Sequence, residues 1–351
     1  MKTHILSLDP QEIEAIILQW GEKKYRIIQL LDWIYKKNCL SFDDMTNLPN
    51  ALRERLKESF DFTLPEVDIK LKSKDSSEKY SLKLRDDNYI EMVFMFNNKK
   101  NTLCISSQVG CARNCQFCAT AKIGLIRNLE VEEIVSQLLI AQKLNPENRI
   151  TNIVFMGMGE PLDNYDNVVK AIQIIQADLG IAFSSRKMTL STCGVVPAIN
   201  KLADSNVKIK LAVSLNSAIN EKRSVLMPIN QKHSLDELKV ALIEFRKKTS
   251  YRISFEYIMI KNFNMSDLDV KALIKFAGDI SCKINLIKWN SVPDLPWISP
   301  ANEDVEAFIK KLTVISAAVT LRQSRGEDIA AACGQLATQR LSKQENDNKE
   351  K

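Results

Sequence analysis

Apolar residues recur every three or four positions over the first 62 residues, and then the period changes to simple alternation. Asp9-Pro10-Gln11-Glu12 supplies an N-cap, a proline at the first helical position and a glutamate at the third. Ile13, Ile16, Ile17 and Trp20 follow at helical spacing. A second helix is predicted over Tyr25 to Lys37, with Ile27, Leu30, Leu31 and Ile34 on one face. Ser41-Phe42-Asp43-Asp44 begins another turn, and Leu48-Pro49 opens a helix carrying Leu52, Leu56 and Phe60. Residues 1–62 therefore read as an N-terminal helical accessory domain. From Glu66, the apolar Val67, Ile69 and Leu71 alternate with polar residues. Strands over Lys79–Leu84 and Tyr89–Phe96, joined at Asp86-Asp87-Asn88, complete a β-hairpin linker region over 63–99.

Beyond residue 100 the pattern settles into strand–helix units. Strands are predicted at Thr102–Ser106, Ile153–Met156, Lys187–Ser191, Lys208–Leu215, Arg252–Ile260 and Ile284–Trp289. Between and after them lie helices at Val131–Leu144, Asn167–Gln176, Pro197–Leu202, Leu235–Lys247, Asp267–Phe276 and Val305–Ile315. Such alternation implies an α/β fold with a parallel sheet and helices outside. Six units are fewer than the eight of a closed barrel. The expectation is an open six-unit (β/α) partial barrel over 100–322, followed by a short segment over 323–341. The last ten residues, 342–351, are charged and apolar-poor, and disorder is expected there.

Composition narrows this picture. With 351 residues, 45% hydrophobic and 26% charged, the chain suits a soluble globular protein with a large core. No window approaches the ~18 consecutive apolar residues of a membrane span. The N-terminal stretch lacks the apolar core of a signal peptide, so cytoplasm is the expected location. Eight cysteines in that compartment argue for metal or catalysis over structural disulfides. A net charge of +6 is compatible with a phosphate-rich partner but does not establish one.

The chemistry concentrates in Cys104-Ile-Ser-Ser-Gln-Val-Gly-Cys111-Ala-Arg-Asn-Cys115-Gln-Phe-Cys118, which holds four of the eight cysteines. Cys111, Cys115 and Cys118 stand at C-x-x-x-C-x-x-C spacing, and thiolates on so short a loop can converge on one soft metal centre. Structural zinc wants four ligands, but the only histidines, His4 and His233, lie far from this loop. Three cysteines can instead hold three irons of a 4Fe–4S cluster and leave the fourth open to a small molecule. Elsewhere, Gly157-Met158-Gly159-Glu160 follows a predicted strand and alone reads as a glycine turn. Cys39, Cys193 and Cys282 read as small buried hydrophobes.

The cysteine spacing, with Phe117 just before the last thiol, resembles the radical S-adenosylmethionine (SAM) superfamily. Val154-Phe-Met-Gly-Met-Gly-Glu-Pro-Leu162, Leu226-Met-Pro-Ile-Asn230 and Ala331-Ala-Cys333-Gly-Gln-Leu336 further resemble the RlmN family of dual-specificity RNA methyltransferases. The resemblance runs from Tyr80 to Leu336 and implies methylation of carbon 2 of an adenine in 23S rRNA, at the peptidyl-transferase centre, and in tRNA, next to the anticodon. It implies a 4Fe–4S cluster on Cys111, Cys115 and Cys118, two SAM molecules per turnover, and an electron donor such as flavodoxin or ferredoxin. By resemblance Gly159, Glu160, Ser191, Ser214, Leu215, Asn216 and Asn290 contact SAM, although the family usually has histidine where this chain has Asn216. A backbone contact survives that change; a contact through imidazole does not.

The same resemblance gives Cys333 a methyl group from one SAM. A second SAM, cleaved at the open iron, yields the radical that activates that methyl for attack on adenine. Glu91 is implied as the proton acceptor, and Cys104 as the thiol that frees the RNA by closing a transient disulfide with Cys333. That step needs the two α-carbons within ~7 Å. Lys23, Lys24, Arg26, Lys36 and Lys37 would suit an RNA grip by the N-terminal domain or a solvated face. A monomer without membrane attachment is expected. The nearest alternative is the sister class that methylates carbon 8, but Pro161 and Arg325-Gly326 look more like the carbon-2 class.

Overall fold

The computed structural model describes residues 2–97 and 100–336, so the tail expected to be disordered, 342–351, lies outside the described residues. In the N-terminal unit, β1 (Thr3–His4) pairs in parallel with β2 (Phe60–Asp61). This pairing clasps the ends of a unit that contains α1 (Pro10–Gln19), α2 (Lys24–Leu31) and α3 (Asn50–Ser59). The start of α1 follows from its sequence: the Asp9 carboxylate accepts from the Glu12 N–H at 2.9 Å, and Glu12 accepts from the Asp9 N–H at 2.7 Å. Ile13, Ile17, Ile27, Leu30, Ile34, Leu52 and Leu56 are buried together. Phe60, predicted on a helix, begins β2 instead, where pairing with Thr3 overrides the helical spacing.

One ten-stranded sheet runs through the rest of the chain. The antiparallel strands β3 (Glu66–Lys72), β4 (Glu78–Lys83) and β5 (Tyr89–Met95) form one side. β5 pairs antiparallel with β6 (Thr102–Cys104), so the hairpin extends the main sheet. A two-stranded ribbon, β7 (Gln108–Gly110) with β8 (Leu125–Asn128), brackets α4 (Ala119–Ile123) and was not foreseen. Then come α5 (Val131–Leu144), β9 (Asn152–Phe155), α6 (Tyr165–Gln176), β10 (Met188–Thr192), α7 (Val196–Asp204) and β11 (Lys210–Ser214). The chain continues with α8 (Asn220–Leu226), α9 (Leu235–Lys248), β12 (Ile253–Met259), α10 (Asp267–Ala277), β13 (Cys282–Lys288), α11 (Asn302–Lys311) and β14 (Ala318–Arg322).

The strand order is β14-β13-β12-β11-β10-β9-β6-β5-β4-β3, and its two edges do not pair with each other. The barrel is thus open, with six strand–helix units as expected. The seventh parallel strand, β14, escaped the sequence pattern because it is an edge strand, partly exposed on both faces. The N-terminal unit is tied to the barrel by Lys170, whose ammonium reaches Asp9 at 2.7 Å and Glu12 at 2.6 Å. Asn38 adds a bond from its side-chain amide to the Leu139 carbonyl at 2.8 Å. Among the described residues, no helix is long and apolar enough to cross a membrane.

Candidate active site

The three cysteines at C-x-x-x-C-x-x-C spacing lie on a loop between β7 and α4. Close packing of two glycines clamps its base: a β-carbon on Gly110, which sits at φ +75°, would lie 1.8 Å from the Gly124 carbonyl oxygen. The Cys111 N–H also donates to Gly124 O at 2.8 Å. Farther along, the Gln116 N–H donates to Leu226 O at 2.9 Å, which gives the Leu226–Asn230 motif a physical role. The Trp297 indole donates to Gln116 O at 2.8 Å and the Trp289 indole to Phe117 O at 3.3 Å.

This loop forms one wall of a cavity of about 940 Å³, measured out to its mouth. Cys111, Cys115, Cys118 and Cys333 line it together with Gly159, Glu160, Ser191, Ser214 and Asn216. Burial pushes the Cys111 thiol up to about 12, and it raises Cys115 and Cys118 as well. The thiols also repel one another's ionisation, an arrangement that a soft cationic centre would relieve. Among the described residues, no three His, Cys, Asp or Glu side chains converge tightly enough for a single metal ion.

The opposite wall carries most of the residues expected at SAM. Gly159 sits at φ +97°, and a β-carbon there would meet the Gln108 side chain at 2.5 Å, so only glycine lets the turn lie against β7. Glu160 is buried; one oxygen accepts from the Cys193 N–H at 2.7 Å and the other from the Leu162 N–H at 3.1 Å. Burial raises its pKa, and its hydrogen bonds partly offset that. Ser191, next to the last residue of β10, and Ser214, the last of β11, line the cavity.

Asn216 adopts φ +55°, which suits asparagine. Its side chain already accepts from the Ile258 N–H at 3.0 Å and reaches Met227 Sδ at 3.3 Å. Two expected residues are not on this wall. Leu215 turns its side chain into the core, and its backbone groups are taken by Glu256 and Arg223. Asn290 instead donates to the Cys333 carbonyl at 3.0 Å, so it holds the cysteine segment.

Cys333 also lines a second cavity, of about 530 Å³, together with Cys104 and Arg322. Cys333 keeps exposed surface, yet burial pushes its thiol up to about 11. Cys104 is pushed up to about 12, by burial first and then by Cys333. Arg322 opposes both shifts. Glu91 is on β5, two residues from Val93, the cross-strand partner of Cys104, and so on the same face. It lines neither cavity but is buried and ion-paired to Lys79 at 3.4 Å; Lys79 also donates to Ala330 O at 3.2 Å.

Three residues went unread in the sequence. Cys193 is buried as expected, and it also lines the cavity beside Cys115 and Glu160. Its signal was its place just past the carboxyl end of β10. Arg223 is completely buried, and its guanidinium caps β10 and β11 through the carbonyls of Cys193 (2.6 Å), Ser214 (3.3 Å) and Leu215 (3.2 Å). Arg322 lies on the unpredicted edge strand and so had no context.

An open parallel barrel with a three-cysteine loop at the carboxyl end of its first strand defines the radical SAM class. Residues 105–274 match the radical SAM superfamily, and residues 3–61 match the ribosomal RNA large subunit methyltransferase N-terminal domain. A crystal structure of a radical SAM methyltransferase from Sphaerobacter thermophilus superposes with a TM-score of 0.91 at 36% identity, over 96% of this chain and 99% of that one. A probable dual-specificity RNA methyltransferase RlmN from Dictyoglomus turgidum is 44% identical over 95% of this chain and 96% of its own. The dual-specificity RNA methyltransferase RlmN of Syntrophus aciditrophicus is 42% identical over 97% and 98% respectively. The chain belongs to the RlmN family. Membership of the superfamily implies SAM and a 4Fe–4S cluster.

Proposed function

We propose that this protein methylates carbon 2 of adenine in 23S rRNA and in tRNA, with Cys333 as the carrier of the transferred carbon. The observation that carries this reading is that Cys333 lines both cavities, facing the three-cysteine loop on one side and Cys104 on the other. Cys111, Cys115 and Cys118 would hold a 4Fe–4S cluster, with Glu160, Ser191 and Ser214 placed to bind SAM. Such a centre, when bound and reduced by a flavodoxin- or ferredoxin-like donor, supplies the electron for homolytic cleavage of SAM. That chemistry suits carbon 2 of adenine, which is electron-poor and has no lone pair with which to attack SAM directly.

Cys333 Sγ takes the methyl group and presents it to the base. Asn290 fixes the Cys333 backbone while this happens. Glu91 accepts the proton lost from carbon 2, and Lys79 keeps that carboxylate aligned toward the Cys333 segment. Cys104 then attacks the Cys333 sulfur: an S–S bond forms, the bond from that sulfur to the transferred carbon breaks, and the released carbon takes up a proton to become the methyl group of the freed RNA. Mass spectrometry of nucleosides from RNA treated with the reconstituted enzyme tests the reading. The expected product is 2-methyladenosine; 8-methyladenosine or no methylated adenosine would overturn it.

A further inference from the structure

Glu256 lies in the middle of β12 and lines the same cavity as Cys333 and the three-cysteine loop. It is 6% exposed. Its Oε1 is fully used, accepting from Ser254 Oγ at 2.7 Å and from Asn285 Nδ2 at 2.8 Å. Asn285 is itself anchored by the Thr320 hydroxyl, which donates to its Oδ1 at 2.7 Å. This row crosses β12, β13 and β14 and locks the carboxylate in one orientation. The other oxygen, Oε2, is buried without a hydrogen-bond partner. Folding alone does not account for that, because an unsatisfied buried acceptor is destabilising. No role assigned above uses it.

The neighbours of Oε2 indicate what would donate to it. On the adjacent strand, Ser214 stands level with Glu256. Cys333 lines the same cavity, near enough for the Glu256 charge to act on its thiol. A SAM molecule reacting at a group carried by Cys333 brings its 5′ carbon there, and the ribose ring adjoins that carbon. Carboxylates that accept from ribose hydroxyls are a standard means of reading a nucleoside. We propose that Glu256 Oε2 accepts from a ribose hydroxyl of SAM and so fixes the nucleoside. The proposal rests on the reading that this cavity binds SAM.

The test uses the reconstituted full-length protein and S-adenosylhomocysteine, with its 2′-deoxy and 3′-deoxy analogues, in anaerobic equilibrium dialysis. Wild type should bind the parent about 10- to 100-fold more tightly than one of the analogues. In Glu256→Gln, the amide oxygen takes over the bonds from Ser254 and Asn285, and the NH₂ takes the place of Oε2. The acceptor is lost, and the ratio should fall to about one. Each ratio is internal to one protein, so partial misfolding does not distort it. If Glu256→Gln yields no soluble protein, Asn285→Ala frees the carboxylate and should shrink the ratio several-fold.

An unchanged ratio in either variant overturns the proposal, as does equal binding of parent and analogues by wild type. If wild type binds none of the three, the SAM reading fails and this proposal falls with it. A second arm compares RNA targets with and without a 2′-hydroxyl at the target adenosine. Discrimination there that depends on Glu256, with none among the small ligands, would assign the donor to RNA and overturn the proposal.

Discussion

Cys333 and Cys104 are both thiols on one cavity, but their surroundings differ. Cys104 is on a central strand, held in the ladder between β5 and β9. Cys333 is on a short turn secured by the Asn290 side-chain amide, which donates to its carbonyl, and by the Ala119 N–H, which donates to Gly334 O at 2.7 Å. If Cys333 carries the carbon, Cys333→Ala should yield neither methylated adenine nor an RNA adduct. If Cys104 only releases the product, Cys104→Ala should stall with RNA covalently bound through Cys333. A denaturing gel with labelled RNA separates the two, and full turnover by Cys104→Ala would overturn the assignment. At this scale the sequence was legible where a motif surrounded the residue, as for Cys333. It was silent on Glu256, whose meaning lies in one unsatisfied oxygen.

Among the elements, the cluster loop is the clearest case of sequence dictating local structure. Its cysteine spacing was readable; the clamp of Gly110 against Gly124 and the two tryptophans that fasten it from 172 and 181 residues away were not. Cys115→Ala should lose the iron–sulfur absorbance after anaerobic reconstitution, together with reductive SAM cleavage, and a variant that still cleaves SAM would sink the three-cysteine assignment. Arg223 joins the ends of β10 and β11 to α8. Burial without a carboxylate partner lowers its pKa to about 10, and carbonyl oxygens are what keep the charge tolerable. Arg223→Met fills similar volume but orphans those carbonyls. The expected loss is about 2 kcal/mol or more, read as a fall in Tm of roughly 2–4 °C per kcal/mol. An unchanged melt would mean the carbonyls find other donors. The edge strand β14 shows the opposite limit: partial exposure on both faces erases the alternation by which strands are recognised.

In the whole molecule, the N-terminal unit packs against the barrel to leave a groove of about 1370 Å³. Lys36, Lys37, Lys143 and Arg149 line it, drawn from both bodies. The sequence offered only the basic residues of the first 62 positions, Arg26 among them, and could not show that α5 adds Lys143. Lys36 is already paired with Asp32 at 2.7 Å, and Lys37 lies over the Trp33 ring at 3.6 Å. Lys143 and Arg149 are thus the better probes of a phosphate track. Deleting the unit would be a poor test, because it would bare the apolar surface and the Asp9–Lys170 and Glu12–Lys170 pairs that join it to α6. The double variant Lys143→Glu, Arg149→Glu leaves that packing intact. If the groove carries RNA, affinity should fall and the slope of log K against log salt should drop by about 1.5, at roughly 0.7–0.9 per phosphate contact. Binding of S-adenosylhomocysteine, which involves the far end of the barrel, should not change. An unaltered salt slope would move the RNA track away from this groove and leave its basic lining as a solvated face.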